Sequence, residues 1–171
     1  LHADIFHLLG NCLFLWVFGR SLEALFGSVK FLVVFPLLGV IGFISEWALN
    51  PDSDVPIIGA SGAIAALMGA YLTLFPRARV KMIFLNLPFF KRFSLPAWVF
   101  LFYWIGLQVL SVVLGSGSSD HVAYAVHVGA FMTGVLASMA WKVTFPLADD
   151  KLAEFNPPTY SFFPINSARK F

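Results

Sequence analysis

Long apolar runs alternate with short polar punctuation along this chain, and the runs are apolar on every face rather than on one stripe. A helix needs about 20 apolar residues to cross the hydrocarbon core of a bilayer. The first run extends from about Ile5 to Phe18, with helix able to continue to Leu25. Asp4 is placed to cap its start by accepting from free backbone N–H groups, and Gly27 to stop it. The second span is Phe31 to Leu49, ended by the turn chemistry of Asn50-Pro51-Asp52-Ser53-Asp54. The third is Ile58 to Phe75, closed by Pro76, and the fourth is Leu95 to Leu114, with Pro96 tolerated in its first turn. Gly115 to Asp120 is a polar loop of glycines and serines, and the fifth span is Val122 to Val143. Between the third and fourth spans, Arg77 to Phe93 is too short in its apolar part to cross and is broken by Pro88. It is expected to lie on the headgroups. From Pro146 the pattern stops, and residues 146–171 are expected to form a loosely ordered cytoplasmic tail behind a membrane domain over 1–145.

Composition agrees with this reading. Of 171 residues, 59% are hydrophobic and 12% charged, against about 25% charged in soluble domains. The mean hydropathy is +0.83. The single cysteine, Cys12, excludes an internal disulfide and a cysteine metal cluster. The chain opens at Leu1 without an initiator methionine, so an upstream segment is expected.

Charge placement orients the spans. When the water-facing ends are numbered alternately, all 11 lysines and arginines fall on one side. Asp4, Asp52, Asp54 and Asp120 fall on the other, which holds no basic residue. The positive-inside rule places the basic side in the cytoplasm. His2, His7, Ser61 and His127 then all lie near the outer ends of their helices, at a shared depth.

Polar side chains are costly in lipid and need partners or a watery cavity. Ser61 lies at the opening of a helix of small residues, Gly59-Ala-Ser-Gly-Ala63, and His127 is a lone histidine in another apolar span. A serine is a poor nucleophile until a neighbouring base takes its proton, and neutral imidazole is the usual base. Two seams of small residues let these helices approach closely: Gly62, Ala66 and Ala70 on one, Ala130, Gly134 and Ser138 on the other. His7 and Asn11 share a helix face at i and i+4, and both can donate to a developing oxyanion, as can the N–H of Ser61.

Blander readings stand beside this one. A serine in a small-residue helix is usually a packing residue, a membrane histidine can be a hydrogen-bonded core residue, and a His-Asn pair can simply bridge helices. His2 and His7 as zinc ligands would need a third ligand at the same depth. The His-Glu-x-x-His motif and the Gly-x-Ser-x-Gly elbow are both absent. Arg20 and Glu23 read as a pair anchoring the cytoplasmic end of the first span.

Taken together, His2-x4-His7-Leu-Leu-Gly-Asn11, Gly19-x3-Glu23-x3-Gly27, Gly59-Ala-Ser61-Gly62-Ala63, Phe75-Pro-Arg-Ala-Arg79 and His127-x-Gly129-x4-Gly134 resemble the rhomboid intramembrane serine proteases. The resemblance runs from His2 to about Trp141. It implies an all-α bundle of transmembrane helices, with five spans here of a six-helix core whose first helix is lacking. It implies a catalytic Ser61–His127 dyad without a third acid, His7 and Asn11 as oxyanion and substrate-binding donors, and His2 as a structural residue. In some members an aromatic four residues after the serine packs on the histidine. Here that position is Ala65, and Tyr124 is an alternative packing partner.

The expected function is cleavage of transmembrane or juxtamembrane segments of other membrane proteins. The partners are single-pass or other transmembrane substrates and the lipid bilayer. No nucleic acid, metal or cofactor is implied. The alternative is a non-catalytic relative that binds transmembrane helices for quality control, and a transporter is a weaker third. The expected location is the bacterial inner membrane, with the site opening to the non-cytoplasmic side. The loop from Gly115 to Asp120 is expected to cap the dyad. The fourth span, with Trp98, Phe100, Phe102, Tyr103 and Trp104, is expected to act as a lateral gate.

The topology is directly testable. In a Cys12→Ser background, Ser53→Cys and Ser118→Cys should react with an impermeant thiol reagent added outside, and Ala78→Cys should not. Labelling at position 78 from outside would reverse the orientation.

Overall fold

The computed structural model describes residues 4–49, 51–52, 58–86, 89–115, 124–146, 152 and 154. His2, the loop from residue 116 to 123 and nearly all of the tail lie outside the described residues. So do the expected cap over the dyad and the tail's expected looseness.

The first span is one helical rod in three parts: α1 (Ile5–Phe14), a π-helical turn (Leu15–Gly19) and α2 (Arg20–Phe26). Asp4 caps α1, its Oδ1 accepting from the His7 N–H at 2.8 Å. Gly27 ends α2 at φ +85°, a conformation that favours glycine. At this end Glu23 accepts from the Ser28 hydroxyl at 2.8 Å, and the Arg20 guanidinium lies over the Trp16 ring, 5.8 Å from its centroid.

Three more spans follow the predicted pattern. α3 is Ser28–Leu49, α4 is Ser61–Leu74, and the last span, α6, is Tyr124–Thr144. Phe75, which precedes Pro76, leaves the helical region at φ −125° and ψ 58° because the proline ring crowds a helical predecessor. The Arg77–Phe93 region, expected to lie on the headgroups, takes up regular structure. It contributes most of an antiparallel ribbon of β1 (Arg79–Asn86) and β2 (Phe89–Pro96), paired from Arg79 with Pro96 to Asn86 with Phe89. This ribbon is the one sheet among the described residues. Leu95 and Pro96 complete β2, so the fourth span, α5 (Ala97–Val113), starts at Ala97 rather than at Leu95. The ribbon is tied at its base, where Ala97 N–H donates to the Ala78 carbonyl at 2.8 Å and Arg79 Nη2 donates to the Ser94 carbonyl at 2.8 Å.

Among the described residues, three helical rods are long and apolar enough to cross a membrane: Ile5–Phe26, Ser28–Ala48 and Tyr124–Thr144. The other two apolar helices, α4 and α5, are shorter. α4 is the centre of the bundle, with ten of its 14 residues buried. At 1.5 Å per residue it is about 21 Å long, less than the roughly 30 Å of the hydrocarbon core. A short central helix wrapped by longer ones can begin below the surface, and its first residue is Ser61. Outside it, α3 and α5 present Leu32, Val33, Leu37, Phe102 and Leu110, among others, as exposed apolar side chains. On a membrane protein this is the lipid-facing surface.

The most extensive helix interface is α4 against α6. The two helices meet at backbone distance. A Cβ added to Gly134 would collide with the Ala66 carbonyl, and one added to Gly69 would collide with the Phe131 carbonyl. Gly62 faces Val126 across the same seam. The predicted seam on α6 holds at Ala130, Gly134 and Ser138, all buried. On α4 it runs Gly62, Ala66, Gly69, and the predicted Ala70 is only partly buried. The 3.6-residue helical period makes i, i+4, i+7 a straighter line than i, i+4, i+8.

Overpacking this seam should unfold the bundle. Gly134→Val should lower stability by at least about 1–3 kcal/mol in reversible unfolding in detergent. Gly106→Ala, at a helical position whose Cβ would meet nothing within 4 Å, should leave it unchanged or raise it by about 0.5–1 kcal/mol.

Candidate active site

The site forms where α1, α4, α5 and α6 come together. Ser61 is the first residue of α4, and His127 lies in the first turn of α6. The seam at Gly62 and Val126 places these two starts side by side. Ser61 Oγ and His127 Nε2 are 2.9 Å apart, a hydrogen-bond distance between residues 66 apart in the chain.

The turn before Ser61 is shaped by Gly59, which has φ +96°. A side chain is strained there, and this glycine also makes room for neighbours. A Cβ at Gly59 would lie 3.0 Å from His7 Nε2 and 3.3 Å from Asn11 Nδ2. His7 and Asn11 are therefore packed onto the backbone that leads into Ser61. Asn11 is 8% exposed, and its Nδ2 has no hydrogen-bond partner among the described residues. A buried amide without a partner costs about 1–3 kcal/mol. The N-terminus of α4 adds backbone N–H groups that have no intrahelical acceptor.

The far side of the imidazole is held by α5. Gln108 Oε1 lies 2.7 Å from His127 Nδ1. Trp104, one turn earlier on α5, has its ring centroid 5.8 Å from that of His127, at an interplanar angle of 41°. The ring of Trp104 thus lies against the histidine. The α5 aromatics divide between two faces. Trp98, Phe102 and Tyr103 are exposed, whereas Phe100 packs on Phe14 and Phe18 with centroids 6.0 Å away.

The sequence reading therefore named four residues that the fold assembles into one place, Ser61, His127, His7 and Asn11. It missed Gln108. The signal for Gln108 was the one that marked His127, an uncharged polar side chain alone in an apolar span. It was passed over because Gln108 belongs to no motif.

The room at Gly59 is a point of sensitivity. Gly59→Ala should reduce the rate at which Ser61 reacts with a fluorophosphonate probe, because the methyl group strains the turn and pushes His7 and Asn11 away. Gly10→Ala, on the helix that carries both residues but with open space around its Cβ, should label at the wild-type rate.

Comparison with known proteins bears on this arrangement. The Rhomboid domain family model matches residues 1–142. The chain is 31% identical over 146 residues to the human presenilin-associated rhomboid-like protein, mitochondrial, covering 84% of this chain and 35% of that protein. It is 32% identical over 139 residues to Rhomboid protein 1, mitochondrial, of Saccharomyces cerevisiae, covering 79% of this chain and 38% of that protein. Over 72 residues, 42% of this chain and 14% of the relative, it is 40% identical to Rhomboid protease GluP of Bacillus subtilis. The chain spans little more than a third of the length of the mitochondrial relatives it matches. No solved structure matches it. The relatives matched over most of the chain carry mitochondrial names, so the expected bacterial inner membrane has no support from them. What the family and the apolar helices support is an integral membrane protein. A Rhomboid match over most of the chain, on a helical membrane bundle, means that this chain belongs to the rhomboid family.

Proposed function

We propose that this chain carries the active site of an intramembrane serine endopeptidase, with Ser61 as nucleophile and His127 as its base. The observation that carries this reading is the 2.9 Å approach of Ser61 Oγ to His127 Nε2 at the partly buried junction of α4 and α6. Neutral His127 accepts the Ser61 proton as Oγ attacks the scissile carbonyl. The resulting imidazolium then gives that proton to the leaving amine, and an acyl-enzyme remains on Ser61. Water resolves the ester with His127 again as base.

The tetrahedral oxyanion needs donors fixed before the reaction. The unpartnered Nδ2 of Asn11 supports its assignment to this task, with His7 and the N-terminal N–H groups of α4 beside it. The helix dipole at that end also favours negative charge. The substrates are transmembrane or juxtamembrane segments of other membrane proteins. The site opens on the side opposite the basic loops. The non-catalytic alternative is disfavoured by the intact Ser61–His127 contact, which a pure binding protein has no reason to keep.

The test is a cleavage assay on a model transmembrane substrate in liposomes. Ser61→Ala and His127→Ala should each abolish turnover, and the double variant should be little worse, because residues acting as a unit are non-additive. Asn11→Ala should lower kcat by up to about 10²–10³, less if His7 compensates. Substantial cleavage by Ser61→Ala would reject the dyad.

A further inference from the structure

We infer that Gln108 is a positioning residue for His127: its amide oxygen holds the imidazole in the tautomer that can accept the proton of Ser61. The inference rests on the dyad proposed above and adds a third member from a different helix.

A neutral imidazole carries one proton on either ring nitrogen, and which one is set by the partner of the other. If Nε2 carries it, the ring donates toward Ser61 and cannot act as base. If Nδ1 carries it, the Nε2 lone pair points at Ser61 Oγ. Gln108 Oε1 lies 2.7 Å from Nδ1, and a carbonyl oxygen is an acceptor only. That contact selects the Nδ1–H form. The geometry at the other nitrogen is consistent with it, since Ser61 Oγ at 2.9 Å can then donate to Nε2.

The proton count closes through the reaction. When Ser61 gives its proton to Nε2, the imidazolium keeps its Nδ1–H donated to Gln108. An amide oxygen is too weak a base to take that proton, so Gln108 ends each cycle unchanged. Nε2–H then passes to the leaving amine. In a Ser-His-Asp triad the third residue orients the ring and also stabilises its positive charge. Gln108 supplies the orientation through a neutral group, which avoids placing an ion in an apolar helix.

Two contacts to the ring come from α5. Trp104 and Gln108 are one turn apart on its inner face, and they meet the imidazole by ring contact and by hydrogen bond. The base is therefore set only while α5 is seated against α6. If α5 swings away, His127 loses the group that selects its tautomer and the ring that supports its plane at the same time.

The test uses the full chain in liposomes with ring-15N histidine, and the His127 signals are assigned by their loss in His127→Ala. The wild-type protein should show Nδ1 protonated and Nε2 as the bare nitrogen. Gln108→Met, of similar length but without an acceptor, should show a tautomer mixture. Its kcat should fall about 10–100-fold, the range expected for a misplaced reacting group, with KM unchanged within about twofold. Gln108→Glu, which restores an acceptor, should recover kcat to within about threefold. A wild-type spectrum with the proton on Nε2 overturns the inference whatever the variants do. So does wild-type kcat in Gln108→Met. Ser61→Ala separates the two levels: a dead Ser61→Ala beside a fully active Gln108→Met rejects the role of Gln108 and leaves the dyad standing, whereas an active Ser61→Ala rejects the dyad itself.

Discussion

The close crossing of α4 and α6 is the contact on which the rest of the structure depends. Lipid tails are as apolar as leucine, so a hydrophobic driving force does not hold membrane helices together, and close packing must do so. Gly69 and Gly134 let the two backbones touch, and Ala66 and Ala130 keep the seam narrow. The depth and lateral position of Ser61 relative to His127 follow from this crossing. A side chain at Gly134 would separate the helices, and a 2.9 Å hydrogen bond does not survive such a shift.

Around that axis the fold handles a cluster of polar groups in apolar surroundings. His127 is satisfied on both ring nitrogens, by Ser61 and by Gln108. Ser138, further along α6, returns its hydroxyl to the Gly134 and Val135 carbonyls and disappears into its own helix. Asn11 Nδ2 is buried and has no partner among the described residues, which suits the oxyanion role proposed for it.

Four helical elements contribute to the site, and they are not equivalent. α4 and α6 are locked by backbone contact. α1 is joined to them through Gly59, where His7 and Asn11 rest on the turn. α5 meets the site through Trp104 and Gln108 and presents exposed apolar residues on its other face. The close crossing therefore carries Ser61 and His127, and α1 and α5 bring His7, Asn11 and Gln108 to it from either side.

Much of this was legible from the order of residues alone. The spans, their ends at Asp4, Gly27 and Pro76, the one-sided charges and the small-residue seams are local or periodic properties, and periodicity survives in a one-dimensional string. Ser61, His127, His7 and Asn11 could be named because polar side chains stand out against apolar helices. Three things needed the tertiary structure. The seam passes through Gly69 rather than Ala70, because only the real crossing shows which of two adjacent small residues faces the partner. The Arg77–Phe93 region becomes a paired ribbon, because strand pairing is a relation between two segments that neither encodes alone. Gln108 and Trp104 reach His127 because α5 folds back antiparallel to α6, which brings together residues 19 and 23 positions apart. A hydrogen bond between helices depends on their rotation and depth to within a fraction of an ångström, and spacing along one helix contains no information about the rotation of another.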